Sequence, residues 1–312
     1  MVGAENAYTS FGGLVVGYSN EITAPYSSVS GGAANIASGS FSSVSGGESN
    51  TASGLESWVG GGNQNVASEF CSSVSGGFHN QARDGFASVS GGDANVASGV
   101  GSSVSGGIRN AAIGAYASVS GGDSNVASGE NSSVSGGTIN RASSAFAAVS
   151  GGFANVAGPG PLPSFGTVNP GDAPSVSGGL ANHADGTVAS VSGGEFNAAS
   201  GDESSVSGGR DNAASGDDSS VSGGGFNVAS GVMSSVSGGG LNKASGDTAS
   251  VSGGRSNIAG GTDSSVTGGR ENNAAETFSS ISGGRGVGFV APDGWKAGSV
   301  GAAAGPNQFF SQ

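Results

Sequence analysis

Two histidines, His79 and His183, are the side chains of this sequence best suited to acid–base chemistry, because imidazole titrates near neutral pH. Serines are abundant, and a serine that hydrogen-bonds to a histidine held by a carboxylate becomes a nucleophile for acyl transfer. The two histidines stand in well-separated copies of a fifteen-residue repeat, so they cannot build one such site together. We therefore expect no enzyme activity and assign no catalytic residue.

Carboxylates gather in several copies of the repeat, at Asp202-Glu203 and Asp217-Asp218, with Asp247 and Asp263 in adjoining copies. Aligned carboxylates attract Ca²⁺, which prefers oxygen ligands. The calcium-loading nonapeptide Gly-Gly-x-Gly-x-Asp is absent from the sequence. We therefore expect solvated carboxylates, no metal site and no cofactor.

Three arginines, Arg255, Arg270 and Arg285, recur at intervals of fifteen residues, and Glu271 lies next to the second. An anionic glycan or lipid could bind such a basic column. The simpler expectation is a solvated edge with salt bridges, which add little stability when they are exposed.

Composition excludes several classes of protein. The chain has 312 residues and a formal charge of −13 with a pI near 4.2, which argues against a nucleic-acid partner. A membrane-spanning helix needs about 20 consecutive apolar residues, and we find no such window, so membrane insertion is not expected. A single cysteine, Cys71, rules out a disulfide scaffold.

Internal repetition dictates the architecture. The pattern V-S-G-G-x-x-N-x-A-S-G-x-x-S-S recurs every fifteen residues, and we number its positions 1 to 15 from the valine. We place Leu14 at the head of the series, which continues from Val29 to Val149 and from Val176 to Ile281 and gives eighteen coil starts. The fixed positions are expected to face equivalent residues in neighbouring coils, and the variable ones to face water or a partner.

Two short strands per coil explain this pattern. Gly and β-branched Val disfavour helix, and a fifteen-residue period is shorter than that of helical-hairpin repeats. The segments S-S-V-S-G and N-x-A-S-G alternate with period two, so positions 1, 7, 9 and 14 should point inward. Glycines in the Gly-Gly and G-x-x corners should supply positive φ angles. The predicted fold class is all-β, a parallel β-solenoid of about eighteen fifteen-residue coils.

The repeat also predicts boundaries. We expect an N-terminal cap at 1–13, the solenoid at 14–284, and a C-terminal cap or tail at 285–312. Twelve residues more than one period separate Val149 from Val176, and the segment 158–174 is rich in Pro and Gly. That segment should be a loop extruded from one coil.

Asparagine at position 7 predicts a structural ladder, because amides stacked in register hydrogen-bond to one another and to corner backbone groups. The predicted ladder residues are Asn35, Asn50, Asn65, Asn80, Asn95, Asn110, Asn125, Asn140, Asn155, Asn182, Asn197, Asn212, Asn227, Asn242, Asn257 and Asn272.

Two surfaces are candidates for contact with a partner. Outward serines at positions 15 and 2 should form a flat face of two columns, made of Ser43, Ser45, Ser73, Ser75, Ser88, Ser90, Ser103, Ser105, Ser118, Ser120, Ser133 and Ser135. Aromatic residues at position 13 should form a ridge that suits subunit packing or ligand recognition, made of Tyr26, Phe41, Phe86, Tyr116 and Phe146.

The string SSVSGGxxNxASG, as at Ser42–Gly54 and Ser219–Gly231, resembles the head repeats of bacterial trimeric autotransporter adhesins. That resemblance implies a left-handed parallel β-roll, three chains packed side by side, and a surface-exposed fibre that binds host or neighbouring surfaces. The chain departs from that pattern at Gly31 and Gly46, where those heads carry isoleucine, and it has no heptad stalk or membrane-anchor barrel.

The segment Asn95–Gly99 is similar to the x-x-N-x-V-x-G half-coils of the ryegrass-type ice-binding β-roll. In that class a regular face of small hydroxyl side chains orders water, and the two serine columns would be the equivalent face. Thr267 is the one threonine in either column, and Trp58 with Gly60 interrupts one coil.

We therefore expect an extracellular or cell-surface structural and adhesive fibre protein that presents variable turn residues to a surface or partner. The alternatives are an ice-binding protein and a filament subunit joined through hydrophobic termini. The expected partners are other copies of the chain, as a homotrimer or filament, and a surface glycan or protein receptor. We find no signal peptide after Met1.

Overall fold

The computed structural model describes residues 1–158, 173–288 and 292–297. The fold is an all-β parallel β-solenoid of about 19 turns, with about 15 residues per turn and two short strands per coil. The described residues contain no helix. This confirms the fold class predicted from the repeat. Most of the predicted loop 158–174 and of the predicted tail 285–312 lies outside the described residues.

The first of two compact units is Met1–Phe153. Its first sheet consists of β1 (Val2–Ala4), β3 (Leu14–Tyr18), β5 (Ser28–Val29), β7 (Ser43–Val44), β9 (Trp58–Val59), β11 (Ser73–Val74), β13 (Ser88–Val89), β15 (Ser103–Val104), β17 (Ser118–Val119), β19 (Ser133–Val134) and β21 (Ala148–Val149). Its second sheet consists of β2 (Ala7–Tyr8), β4 (Glu21–Ile22), β6 (Ile36–Ala37), β8 (Thr51–Ala52), β10 (Val66–Ala67), β12 (Gln81–Ala82), β14 (Val96–Ala97), β16 (Ala111–Ala112), β18 (Val126–Ala127) and β20 (Arg141–Ala142).

The second unit is Ala154–Gln312. Its first sheet consists of β23 (Ser175–Val176), β25 (Ser190–Val191), β27 (Ser205–Val206), β29 (Ser220–Val221), β31 (Ser235–Val236), β33 (Ser250–Val251), β35 (Ser265–Val266), β37 (Ser280–Ile281) and β38 (Trp295–Lys296). Its second sheet consists of β22 (Val156–Ala157), β24 (His183–Ala184), β26 (Ala198–Ala199), β28 (Ala213–Ala214), β30 (Val228–Ala229), β32 (Lys243–Ala244), β34 (Ile258–Ala259) and β36 (Asn273–Ala274).

Each residue pairs with its equivalent one coil away, as in the parallel registers Ser103↔Ser118 and Val104↔Val119. Alternation along each strand then separates the two faces. Val104 and Ala112 are 1% and 0% exposed and lie between the sheets, whereas the serine beside each valine is only partly buried. Position 14 also points inward, where Ser102 is fully buried. The inward set agrees with the prediction from the sequence.

The corners differ from the expectation in two respects, and the first is that position 6, which is not glycine, also has positive φ, for example 54° at Ala34. Glycine at position 4 has positive φ, for example 83° at Gly32, but glycine at position 11 does not. The positive φ of the second corner falls on position 13, for example 59° at Phe41. The N–H of Phe41 donates to the Pro25 carbonyl in the preceding coil, 3.0 Å away, so a hydrogen bond offsets this uncommon conformation. Glycine at position 11 is needed for close approach instead, because a Cβ on Gly39 would lie 1.9 Å from the Gly54 carbonyl oxygen.

The placement of Leu14 at position 1 is wrong. Val15 pairs with Val29 and is completely buried, whereas Leu14 pairs with Ser28 and is 48% exposed. This coil has one residue fewer at its first corner, and a shift of one residue along a strand turns a side chain to the other face. Strand β1 then pairs with β3, and β2 with β4, so the segment 1–13 adds a turn of its own.

The long insertion leaves the register of the second sheet unchanged. Val156 pairs with His183 and Ala157 with Ala184, although 27 residues separate each pair in the sequence. Strands β22 and β24 are therefore paired in the same way as other neighbouring strands of the second sheet.

Candidate functional site

Asparagine at position 7 forms a hydrogen-bonded column inside each unit. The Oδ1 atom of Asn35 accepts the backbone N–H of Asn50 at 2.9 Å. The Nδ2 atom of Asn50 donates to the carbonyl of Gly46 at 3.0 Å and to that of Gly62 in the next coil at 2.9 Å. One side chain thus satisfies three backbone groups at the first corner.

The structure places the sixteen predicted ladder residues at 0–1% exposure, namely Asn35, Asn50, Asn65, Asn80, Asn95, Asn110, Asn125, Asn140, Asn155, Asn182, Asn197, Asn212, Asn227, Asn242, Asn257 and Asn272. A ligand cannot reach side chains that are buried to this extent. Their role in this geometry is to hold the corners, which carry the variable residues, in register.

Sequence reasoning missed one member of the column. Asn6 accepts the N–H of Asn20 at 2.9 Å and donates to the carbonyls of Val2 and Gly17. Asn6 lies fourteen residues before Asn20, so a strict fifteen-residue period passes over it. A search that allowed asparagine to recur after either fourteen or fifteen residues would have found it.

The predicted serine face divides into two kinds of position. Serines at position 15 are partly buried, and these are Ser43, Ser73, Ser88, Ser103, Ser118 and Ser133. Serines at position 2 are exposed, and these are Ser45, Ser75, Ser90, Ser105, Ser120 and Ser135. Equivalent serines of successive coils stack in register, as Ser103, Ser118 and Ser133 do. The face therefore presents a regular array of hydroxyl groups.

Trp58 interrupts this array. Its Nε1–H donates to the Ser45 hydroxyl in the preceding coil at 3.3 Å. A Cβ added to Gly60 would lie only 2.9 Å from the Trp58 ring. Trp295 in the second unit donates to Ser282 in the same way, at 2.9 Å. Each tryptophan covers part of the position 2 column in its unit.

The aromatic ridge is exposed along the second corner of the first unit. Its five predicted members are between 52% and 62% exposed, and these are Tyr26, Phe41, Phe86, Tyr116 and Phe146. The rings of Tyr26 and Phe41 stack with centroids 4.9 Å apart and an interplanar angle of 12°. Residues that are not aromatic separate the remaining members at position 13, so the ridge is discontinuous.

Two further phenylalanines belong to this ridge. The ring of Phe11 meets Tyr26 edge-on at 5.4 Å, and that of Phe70 meets Phe86 at 5.2 Å. Phe11 lies fifteen residues before Tyr26, so its spacing could have revealed it. Phe70 is at position 12, and only the geometry of the corner shows that it reaches the ridge.

Cys71 lies in a gap of the ridge. Partial burial raises the pKa of its thiol, and the hydrogen bond that it donates to Glu56 at 3.4 Å, with the negative charge of that carboxylate, raises the pKa further. A thiol with a raised pKa holds its proton at neutral pH and is a poor nucleophile.

The two histidines have different neighbours. The ring of His79 lies 3.7 Å from that of Phe78 and contacts the Gln64 side chain. His183 Nδ1 lies 4.0 Å from Asp185 Oδ1. Burial raises the pKa of Asp185, and the charge of His183 opposes that rise.

The carboxylates of the second unit bind backbone groups. Asp202 accepts the N–H of Thr187 at 2.9 Å, and Asp217 accepts that of Asp202 at 3.2 Å. Within residues 1–158, 173–288 and 292–297, no cluster of three or more His, Cys, Asp or Glu side chains is arranged to hold a metal ion.

Comparisons with known proteins add no relative. No protein-family model matches the chain, and no curated protein matches it. Over the described residues, no helix has the length and apolar character needed to cross a membrane.

Proposed function

We propose that this chain is an extracellular structural and adhesive protein, in which a stiff solenoid presents variable corner residues to a surface or partner. The division of labour along the repeat supports this. Fixed residues such as Asn125 and Val119 are buried, whereas the residues that vary lie at the corners, at positions 5, 6, 12 and 13, or on the second sheet, at position 8. Variation at the corners changes what the surface offers without changing the core.

The observation that carries the proposal is the exposure of the aromatic ridge. Tyr26 and Phe41 stack on each other, yet they remain 52% and 56% exposed. Aromatic side chains bring large apolar area to an interface, and a contact that covered them would gain the free energy of removing that area from water. A surface glycan, a protein receptor or another copy of the chain would provide such a cover. The resemblance to adhesin heads adds left-handed coils and a homotrimer to this proposal.

Attachment measurements test the proposal. Purified full-length chain is passed over polystyrene, over silica and over an array of neutral and acidic glycans, and the retained mass is recorded on a quartz microbalance. We expect retention on at least one of these surfaces that survives washing. Absence of retention on all of them, at concentrations where the chain is folded, would contradict an adhesive role.

Ice binding is a second candidate, and the regular serine array favours it. Ser118 and Ser133 stack in register on one face, as an ice-matching surface requires. Ser118→Tyr with Ser133→Tyr should then abolish thermal hysteresis, while Ser98→Tyr with Ser128→Tyr on the other sheet should leave it unchanged. A wild-type chain without thermal hysteresis or inhibition of recrystallisation would remove this candidate.

A further inference from the structure

In the second unit the arginines lie at one corner and most of the carboxylates at the other. All the arginines of residues 154–312 occupy position 5, at the first corner: Arg210, Arg255, Arg270 and Arg285. Carboxylates concentrate at positions 12 and 13, at the second corner: Asp202, Glu203, Asp217, Asp218, Asp247, Asp263 and Asp293. We call Arg255, Arg270 and Arg285 the basic edge and these seven carboxylates the acidic edge. Since the two corners connect the sheets at opposite ends of each coil, the edges face in opposite directions.

The basic edge is not neutralised by its own surroundings. Arg255 and Arg270 are partners in a parallel backbone β-bridge, and so are Arg270 and Arg285. The three arginines therefore recur at a coil spacing of about 4.8 Å. Glu271 lies 2.9 Å from Arg270 and 3.6 Å from Arg285 and serves both. None of the ion pairs among the described residues includes Arg255. Like charges so close repel one another, and this repulsion favours contact with additional carboxylates.

Arg210 shows the contrast. Its Nε lies 3.2 Å from Asp211 and 3.8 Å from Glu195, so this arginine is compensated within its own corner. Among the position 5 arginines of this unit, the positive charge in excess of nearby carboxylates therefore lies on the basic edge, where three arginines share Glu271.

Exposed apolar residues adjoin the charges on both edges. Gly225 and Gly240 leave position 5 without a side chain, and Phe226 and Leu241 beside them are 52% and 50% exposed. On the opposite corner Met233 is 57% exposed, and it belongs to the same coil as Phe226. A partner that covers one edge fully must therefore offer both apolar and charged groups.

We propose that the basic edge binds the acidic edge of a second copy of this chain, side by side and with equivalent coils level. In this register Phe226 faces Met233, Arg255 faces Asp263, and Arg285 faces Asp293 of the other copy, because each pair comes from one coil. Both edges repeat with the same period, so the two copies stay level along the contact, and in the coil between these two charge pairs Arg270 faces Thr277 and Phe278. The contact is heterologous, and it leads to a ring or an extended array.

This inference rests on the proposed function and names a partner for it. A linear polyanion would compensate the arginines, but it would leave Met233 and the acidic edge uncovered. A second copy covers Met233 and pairs Asp263 and Asp293 with arginines in one contact, and charge complementarity of this kind determines specificity and rate of association more than affinity.

Charge reversal in two complementary variants tests the contact. One variant carries Arg255→Asp and Arg285→Asp, and the other carries Asp263→Arg and Asp293→Arg. In the coils of Arg255 and Arg285, each variant places groups of like sign on both edges, and each should remain at the 29.1 kDa of one chain by light scattering at low ionic strength. Their equimolar mixture restores both kinds of pairing and should assemble as the wild type does. Assembly should weaken at least tenfold in about 1 M salt, where the Debye length falls to about 3 Å.

The control carries Arg83→Asp and Lys243→Asp. These substitutions change the net charge by the same amount as Arg255→Asp with Arg285→Asp, but away from both edges. It should assemble like the wild type. The inference is overturned if the wild type is monomeric at low salt, if the mixture stays monomeric, or if dextran sulfate binds a monomeric chain through Arg255. The wild type is also tested for attachment to surfaces. Attachment by a wild type that does not assemble would remove this inference while leaving the adhesive function in place, and assembly without attachment would do the reverse.

Discussion

The Oδ1 atom of Asn110 accepts the backbone N–H of Asn125 at 3.0 Å, and Asn125 repeats this contact with Asn140 at 2.9 Å. Each contact links equivalent points of two coils, so the ladder transmits the register along the unit. The apolar core of a coil is little more than one valine and one alanine. Hydrogen bonds between coils therefore contribute a large part of the stability of the fold.

Replacement of a ladder residue should be strongly destabilising. Asn125→Ala removes the acceptor for the Asn140 N–H and the donor to the carbonyls of Gly121 and Gly137, each at 2.9 Å. Loss of three such bonds should lower the free energy of unfolding by about 3 kcal/mol, at roughly 1 kcal/mol or more each. Urea denaturation measures the change. Asn131→Ala, at an exposed corner, is the control and should cost far less; equal losses would refute the structural role of the ladder.

Glycine at position 11 should resist substitution. A Cβ on Gly99 would lie 2.1 Å from the carbonyl oxygen of Gly114, whereas a Cβ on Gly106, at position 3, would meet nothing within 4 Å. Gly99→Ala should therefore destabilise by about 1–3 kcal/mol, as overpacking does, and Gly106→Ala by much less. Thermal unfolding of the two variants decides the matter, and a tolerant Gly99 would show that the coils are less closely stacked than described.

Serine at position 14 should differ from coil to coil. The Ser132 hydroxyl donates to the Gly129 carbonyl at 2.7 Å, whereas the buried Ser42 hydroxyl has no hydrogen-bond partner. Ser132→Ala should lose about 1 kcal/mol. Ser42→Ala should be neutral or stabilising, since it removes an unsatisfied polar group from the interior. Chemical denaturation of both variants checks this, and a larger loss at Ser42 would show that its hydroxyl has a partner.

The stability contributed by Asp185 should depend on pH. Burial raises its folded pKa above the ordinary value, so the folded state holds the proton more tightly than the unfolded state. The associated stability is present below the unfolded pKa, about 3.9, and is lost as pH rises through the raised folded pKa. Asp185→Asn should therefore gain in Tm relative to wild type between pH 3 and pH 7. The gain should be small, because the side chain is 37% exposed and screened by solvent.

A second variant separates burial from charge at Asp185. His183 opposes the rise in the pKa of Asp185, so in a His183→Ala background burial acts alone. The Tm difference between Asp and Asn at position 185 should then be wider than in the wild-type background. A difference that is constant from pH 3 to pH 7 in both backgrounds would contradict the raised pKa.

Much of the fold could be predicted from the sequence, because the fifteen-residue period and the alternation of inward and outward residues indicate the same two-strand coil. Val119 and Ala127 recur at positions whose burial is required by a two-strand coil, and the structure buries both completely or to within 1%. The exception is the first coil, where Val15 and not Leu14 enters the core. One residue is missing at a corner there, and all three residues of the sequence L-V-V are apolar, so hydrophobicity alone does not show which one is buried.

The surfaces were less predictable than the core. The spacing of Tyr26 and Phe41 places them on one corner, but the contact between Phe70 and Phe86 depends on the conformation of that corner. Positive φ at a bulky residue such as Phe86, at 60°, is not predicted by propensity. It follows from hydrogen bonding between coils, where the N–H of Phe86 donates to the Phe70 carbonyl at 2.9 Å.

The most direct test of the account is the attachment of a chain in which four of the five predicted ridge residues are replaced. Tyr26→Asn, Phe41→Asn, Phe86→Asn and Tyr116→Asn are combined, because asparagine tolerates positive φ and Asn131 occupies this position naturally. A variant with Phe78→Asn and Phe153→Asn at the other corner is the control. At matched Tm, the account predicts at least a tenfold loss of the mass retained on the surface that binds the wild type, with the control unchanged. Full retention by the ridge variant would contradict it.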